Sequence, residues 1–371
     1  MSRAGSTVIV AGAGIWGCTV ARVLADAGCR VVVLEARDEI GGNCRCRMDP
    51  ETGIEVHLYG SHIFHTASRE VWDFARRFTD FNCYRHKVVA RHAGRSYFLP
   101  LGLALVNSFF GVDLTPAELP AFMSDETRKR AVFDAFFRNY TSKQWGRPPE
   151  EVDPRIIERV PVRSSYDVNY FNDTLQGIPV DGYNALFERM LDHPNIELHR
   201  GEAFSLDAVG GLLARHPGAC AVFYSGAIDA LFGYRFGALP WRTLRFETET
   251  LNVADAQGTS VVNYADADVP FTRIHEFKHY HPELADVMSL PRTIVCREYP
   301  MEWKPGDEPY YPVASADSAA LFARYRKAVD EYNASSPSLQ LVVGGRLGSF
   351  SYLDMDKSMA DAVATSRAYL H

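Results

Sequence analysis

Between Arg138 and Arg147 the stretch RNYTSKQWGR sets Tyr140, Lys143 and Trp145 among two arginines, just ahead of Pro148 and Pro149. Flat polar aromatics stack on rings, while guanidinium and ammonium groups hold anions, so this composition suits a ligand with both an aromatic ring and phosphate. Nucleotide and nucleic acid both answer that description, and so does a solvated helix end whose Trp packs inward. A second constellation is Gly12-Ala13-Gly14-Ile15-Trp16-Gly17, followed by the acid Glu35, 23 positions beyond Gly12. A third is His62 with His65, three apart. No further ligand of suitable spacing lies nearby, so no metal site is expected there.

The elements around the glycines are legible. Thr7–Ala11 (TVIVA) is a buried-strand run, Cys18–Ala27 has helical periodicity with Gly28 near its stop, and Arg30–Leu34 is a second apolar run ending on Glu35. Strand, G-x-G-x-x-G turn, helix, strand and acid form a dinucleotide fingerprint. In it Gly12 allows the tight turn, Gly14 lets a pyrophosphate approach the backbone and Gly17 lets helix and sheet pack closely. The helix N-terminus then faces phosphate, and Glu35 can accept from a ribose. The following ARDEIGGNCR, with Arg37, Gly41, Gly42 and Asn43, resembles the extended motif of FAD enzymes of the amine-oxidase and glutathione-reductase-like group, so FAD is expected rather than NAD. Ala221–Asp229, breaking at Gly226, and Leu341–Leu347, running into Gly344-Gly345-Arg346, read as returns of the chain to the same sheet, with glycine where backbone approaches a ligand. Asp356–Leu370 reads as a closing helix with Asp354 or Asp356 near its start, where an acid suits the helix dipole.

Texture changes along the rest. Residues 101–195 carry apolar positions at helical spacing, as in Thr127–Arg138 and Gly182–Leu191; residues 241–312 carry short strand-like runs such as Arg245–Thr250, Gly258–Tyr264 and Thr293–Arg297; Leu321–Tyr332 returns to helix. The expected fold class is therefore α/β: a Rossmann-type FAD-binding domain (1–82, 199–240 and 333–371), a helical substrate domain (100–198) and an antiparallel β-sheet domain (83–99 and 241–332).

Composition narrows the function classes. The 371 residues are 47% hydrophobic and 23% charged, with a net charge of −7, so broad attraction to nucleic acid or an anionic membrane is not expected. Seven cysteines include Cys44 and Cys46 as C-x-C but no C-x-x-C pair, against a disulfide framework or zinc site, and Cys18, Cys29 and Cys220 read as small core residues. No window of ~20 apolar residues is present to span a bilayer. Met1-Ser2-Arg3 leads straight into a strand, so a cytoplasmic protein is expected.

Nine collinear blocks resemble the bacterial UDP-galactopyranose mutase family: GSHIFHT (60–66), YTSKQWG (140–146), RVPVR (159–163), YDVNYFND (166–173), QGIPVDGY (176–183), FGYRFGALPWRTLRFE (232–247), TRIHEFKH (272–279), REYPMEWKPGDEPYYPV (297–313) and GGRLGSFSYLDMD (344–356). The resemblance implies an FAD flavoprotein, usually a homodimer, that takes a nucleotide-sugar. It implies that Tyr140 stacks on uracil, that Trp145 lines the sugar end, and that Tyr170, Tyr311 and Tyr352 serve the diphosphate. Phe136, Thr141 and Asn172 are further substrate candidates, although Phe136 suits a core equally and Thr141 or Asn172 a local cap. Arg159, on a mobile loop of the family, and Arg273 match arginines that meet the diphosphate, for which a fork of donors is apt. Arg346, Asp354 and Met355 fall in the C-terminal flavin motif, with Glu298 a weaker candidate that a salt bridge would also explain. His62 is implied beside the flavin, and His65 as a structural hydrogen-bonder.

The implied chemistry has no net oxidation. N5 of the reduced flavin is the nucleophile at the anomeric carbon, UDP leaves and returns, and the sugar ring recloses through its 4-hydroxyl, while Arg159 and Arg273 stabilise charge on the diphosphate. Three departures leave open galactose against a deoxy or N-acetyl sugar, and UDP against dTDP. The usual EHKH reads Glu276-Phe277-Lys278-His279, with a longer segment Tyr280–Arg292 after it; the usual C-terminal aromatic pair is Phe350 and Tyr352, one hydroxyl short; and Asn169 stands where arginine is common. An amine-oxidase-like oxidoreductase and a non-catalytic nucleotide-sugar binder are the alternatives from other classes.

Overall fold

The computed structural model describes residues 5–152, 160–336 and 338–371. Five strands lie in the order Gln340–Val343, Ala219–Tyr224, Thr7–Ala11, Arg30–Glu35 and Ile196–Arg200, every neighbouring pair parallel. A parallel sheet needs cover on both faces, and the central strands show it by strict alternation. Val8, Val10, Val31 and Val33 enter one core with Trp16, Leu24, Tyr183 and Met359. Ile9, Ala11, Val32 and Leu34 enter the other with Leu212, Tyr325 and Val329. Each such fully buried aliphatic contributes about 1.5–3 kcal/mol.

Two helices pack here that the sequence pattern assigned to other domains. Gly182–Leu191, expected in the helical domain, lies against Ile15–Asp26 through Tyr183, Leu186, Phe187 and Met190, all buried. Ala316–Ser335, expected mostly with the second sheet, covers the outer strand Gln340–Val343 with Tyr325, Ala328 and Val329. In both cases the apolar stripe was correctly visible, but periodicity does not say which sheet face the stripe covers.

The second sheet has seven strands in the order Tyr311–Pro312, Trp241–Leu251, Thr293–Glu302, Arg273–Glu276, Val261–Tyr264, Val88–His92 and Arg95–Leu99. It is antiparallel except where Val261–Tyr264 runs parallel to Val88–His92, a strand supplied from far earlier in the chain. Register aligns Glu298, Arg273 and Asn263 in one row across three adjacent strands. Side chains two positions apart share a face, so His275 and Val261 join that row on the same side.

The helical lobe runs from Leu103–Phe110 through Leu119–Met123 and Glu126–Val132 into a π-helical turn, Phe133–Arg138, and then Asn139–Trp145. Leu103, Leu105, Val106, Leu119, Val132 and Phe133 form its own core. Among the described residues no helix is long and apolar enough to cross a membrane.

Candidate active site

One cavity, of about 510 Å³, lies at the ends of the parallel strands, over the glycine turns. Gly12 has φ +106° and its N–H bonds Leu34 O at 2.8 Å, making the turn out of the first strand. Gly14 then caps the helix Ile15–Asp26 with no side-chain bond to its first turn, leaving amide donors for an anion. The second glycine pair stacks on the first: the Gly41 amide donates to Ala13 O at 2.8 Å, and a Cβ on Gly42 would stand 3.1 Å from the Gly14 Cα. Gly17 lies outside the lining and acts by packing, since a Cβ there would sit 1.8 Å from Gly12 O. Glu35 accepts from the Ala13 amide at 2.7 Å and the Arg37 amide at 2.9 Å, which aims its carboxylate along the cavity wall. Arg37 reaches Glu308 at 2.6 Å and Asn43 at 3.2 Å, yet its Nη1 is buried and unpartnered. A pyrophosphate-bearing cofactor would meet that nitrogen and the uncapped helix end, so these residues fit a dinucleotide.

A second cavity, of about 520 Å³, opens between the seven-stranded sheet, the segment 59–63, the C-terminal loop and the helix Asn139–Trp145. Its walls are side chains. Arg273 forms an ion pair with Glu298 (3.3 Å) and donates to the Tyr140 hydroxyl at 2.5 Å. Burial works against that guanidinium's charge, but Glu298 and the surrounding phenols hold it protonated. Burial likewise pushes the Glu298 carboxyl up, and Arg273 with His275 more than offsets it, so the acid stays ionised. Behind the pair runs a polar line: the Tyr280 hydroxyl donates to Ser61, Ser61 bonds His275 Nδ1 at 2.6 Å, and His275 Nε2 stands 3.1 Å from Glu298. Gln144 Oε1 and Asn263 Oδ1 are buried on this wall without a hydrogen-bond partner.

His62, Arg346 and Met355 line both cavities. Burial drives the His62 imidazole down to about 3, so it is neutral across the physiological range, and its Nδ1 is unpartnered. Its backbone N–H is fixed by His57 Nδ1 at 3.1 Å. Arg346 grips Leu353 O at 2.6 Å and lies over the Tyr352 ring at 4.9 Å, joining the C-terminal loop to the seam between the cavities.

A profile of the UDP-galactopyranose mutase family matches residues 135–352, more than half of the chain, and a profile of the NAD(P)-binding Rossmann-like domain matches residues 10–78. The chain is 36% identical to the dTDP-fucopyranose mutase of Escherichia coli, with 98% of each chain covered. It is also 36% identical to the probable UDP-galactopyranose mutase of Klebsiella pneumoniae, covering 98% of this chain and 94% of that one. The chain belongs to the UDP-galactopyranose mutase family. It is accordingly an isomerase of the mutase type. The fold agrees: the crystal structure of a reduced UDP-galactopyranose mutase superposes with a TM-score of 0.67 at 16% identity, over 99% of this chain and 95% of that one. A putative protoporphyrinogen oxidase from Exiguobacterium shares the fold at a TM-score of 0.62 and 13% identity.

The mutase blocks converge unevenly. Gly12, Gly14, Glu35, Arg37, Gly42, Asn43, Gly226, Arg346 and Met355 line the first cavity. Asp354, expected on the cofactor, lines the second instead, at the start of the helix Met355–Leu370. Tyr140, Trp145, Tyr170, Arg273, Tyr311 and Tyr352 all line the second. Three substrate candidates stand elsewhere. Phe136 is in the helical core, edge-on to Tyr97 at 5.1 Å and Phe109 at 5.1 Å, because the π turn rotates it inward. Asn172 is taken up by Arg163 at 2.5 Å, in a clamp that also holds Tyr170 O at 3.2 Å, and Thr141 does not reach the lining. Gly344, read as approaching a ligand, instead makes room for Trp16, whose ring a Cβ would meet at 2.3 Å. Arg159 lies outside the described residues. His65 lines the second cavity, bonded to Asp173 at 2.7 Å and stacked on Phe171.

Sequence reasoning missed Ser61, His86, Gln144, Asn263 and His275 on the second wall. For Asn263 and His275 the signal was strand register: with Arg273 chosen, its cross-strand neighbour and its second neighbour along the strand follow. His86, pushed down to about 3 by burial and bonded to Tyr84 at 2.9 Å, gave no such signal.

Proposed function

We propose that the chain interconverts a nucleotide-diphospho-hexopyranose and its furanose form with no net oxidation, UDP-galactopyranose being the leading substrate and reduced FAD the working cofactor. The observation that carries this is the shared seam: His62, Arg346 and Met355 belong to both cavities, so a cofactor in one and a sugar in the other would meet there. When bound, reduced flavin supplies an electron-rich N5 as nucleophile for an anomeric carbon.

The chain's own groups do the rest. Arg37, Asn43 and the uncapped helix end hold the cofactor diphosphate, and Glu35 its ribose. Arg273, kept charged by Glu298, faces the substrate diphosphate and stabilises the charge that develops as it leaves, with Arg159 as the second cation of the motif. Tyr170 and the stacked pair Tyr311 and Tyr352 add hydroxyl donors, and Tyr140 and Trp145 supply ring faces for the base and sugar ends. Neutral His62 offers an unspent ring nitrogen at the seam, able to bond a sugar hydroxyl or the cofactor ring without adding charge. The family likeness supports a cytoplasmic homodimer as the working state.

Equal identity to a dTDP-fucopyranose mutase and a probable UDP-galactopyranose mutase keeps dTDP-fucose as a second reading. Flavin-loaded protein, reduced anaerobically with dithionite, should convert one of UDP-galactose, dTDP-fucose and UDP-N-acetylgalactosamine to its furanose, resolved by chromatography, and the oxidised protein should not. Reduced, flavin-loaded protein that converts none of them, or oxidised protein that turns over an amine, would overturn the proposal.

A further inference from the structure

Lys143 stands in the stretch whose cations looked suited to phosphate, yet it serves the backbone. Its ammonium donates to four carbonyl oxygens: Tyr264 at 2.7 Å, Asp266 at 3.0 Å, Val269 at 3.0 Å and Phe271 at 3.1 Å. An ammonium has three protons, so this cage saturates it, and at least one bond is shared. No donor is left for a ligand, and Lys143 is absent from the cavity lining.

The position of the cage matters for the site. Segment 264–271 leads directly into the strand Arg273–Glu276, which carries the cavity's guanidinium. On the helix Asn139–Trp145, Tyr140 lies three residues before Lys143, one turn away on the same side, and its hydroxyl takes the 2.5 Å bond from Arg273. The same helix ends against the sheet: Arg242 donates to Gln144 O at 3.2 Å, and a Cβ on Gly146, where φ is +63°, would meet the Arg242 guanidinium at 2.6 Å. The ammonium and Arg242 thus fix helix register and helix end, and Tyr140 and Trp145 face the cavity between them.

We infer that Lys143 is a positioning residue for the nucleotide-diphosphate end of the site: the carbonyl-caged ammonium sets the placement of Tyr140 relative to Arg273. This rests on the reading that the second cavity takes a nucleotide diphosphate. Its action is on ground-state binding, because Tyr140, one turn away from it, takes the base end, whereas the helix end that carries Trp145 toward the sugar is held separately by Arg242.

The test uses flavin-loaded full-length protein and two readouts: calorimetric binding of UDP or dTDP, whichever the unaltered protein takes, and furanose formation. Lys143→Met should raise the nucleotide Kd and the sugar-nucleotide KM together by about tenfold or more, leaving kcat within about threefold. Lys143→Ala should lose as much and regain most of it in propylammonium, which replaces the deleted methylenes and N–H donors, while tetramethylammonium, lacking N–H, restores nothing. Should the Ala variant fail to fold, Lys143→Arg decides, since it keeps the charge but its planar fork cannot converge on four carbonyls; it too should raise Kd. Unchanged Kd and KM in the Met or Arg variant, or a folded, yellow Ala variant indifferent to propylammonium, would overturn the role of Lys143 alone. Unaltered protein that binds neither nucleotide would overturn the reading of the cavity and this inference with it.

Discussion

The two cavities are of similar volume but are made differently. The first is floored by the glycine turns of the first 45 residues, held by amide-to-carbonyl bonds, and closed by side chains from later in the chain such as Tyr234, Trp303 and Glu308. The second is walled by charged, phenolic and imidazole side chains drawn from the helical lobe, both ends of the long sheet and the C-terminal loop. A backbone-built site tolerates almost no added atom, because its dimensions are main-chain distances. A side-chain-built site tolerates shape changes but depends on charges that hold one another in place.

The difference is broken most severely at Gly17. Alanine there would put a methyl carbon 1.8 Å from Gly12 O and 2.9 Å from Gly12 C, and main chain cannot swing aside. Gly17→Ala should destabilise the fold by about 3 kcal/mol and give colourless protein, checked by denaturant unfolding and flavin absorbance after purification. Yellow, fully stable Gly17→Ala protein would show that the turn is not the rigid cradle described.

Arg273→Met probes the other wall. It removes the cation facing the diphosphate and leaves the Glu298 carboxylate, 3% exposed, with no cation but the His275 imidazole, itself pushed toward neutrality by burial, against it among the described residues. We expect kcat/KM to fall by about 10²–10³-fold and stability to drop by about 3 kcal/mol, while flavin content stays normal because Arg273 is outside the first cavity. Adding Glu298→Gln should return most of the stability and none of the activity. If the double variant stayed as unstable as the single, the loss would not come from an unpaired buried charge.

The same contrast explains what could be read from the chain. The first cavity follows from local rules, since the glycine spacing, the strand on either side and the acid at Glu35 lie within one βαβ stretch. Gly17 even kept its expected reason, packing, while standing outside the lining. The second cavity depends on register across strands far apart in sequence, so its charged residues emerged only through family resemblance. Expectation and structure part where orientation decides the outcome: Phe136, on the π turn, is taken up by a core, Lys143 is turned onto carbonyls, and Asn172 is engaged by Arg163. The helices Gly182–Leu191 and Ala316–Ser335 were seen as helices but expected in the helical and antiparallel-sheet domains, whereas both pack on the parallel-sheet unit, for a related reason: an apolar stripe carries no address.

The smallest effect is expected at Phe350, which matters because it is the position where this chain is one hydroxyl short of the family pattern. Were the second cavity defined by sequence position alone, restoring that hydroxyl would add a phosphate donor. The ring instead sits edge-on against Trp241 at 5.0 Å and beside Phe322 at 5.9 Å, half-buried against the core under the parallel sheet and outside the cavity lining. Its backbone has φ +47°, a left-handed conformation that turns the side chain away from Tyr352, which does face the cavity. Phe350→Tyr should therefore leave kcat/KM within about twofold and cost about 1 kcal/mol for a hydroxyl placed among rings, measured by steady-state kinetics and thermal unfolding of the flavin-loaded protein. A gain of tenfold would mean that the 349–352 turn presents Phe350 to the substrate, and that the cavity wall begins at Phe350 and not at Tyr352.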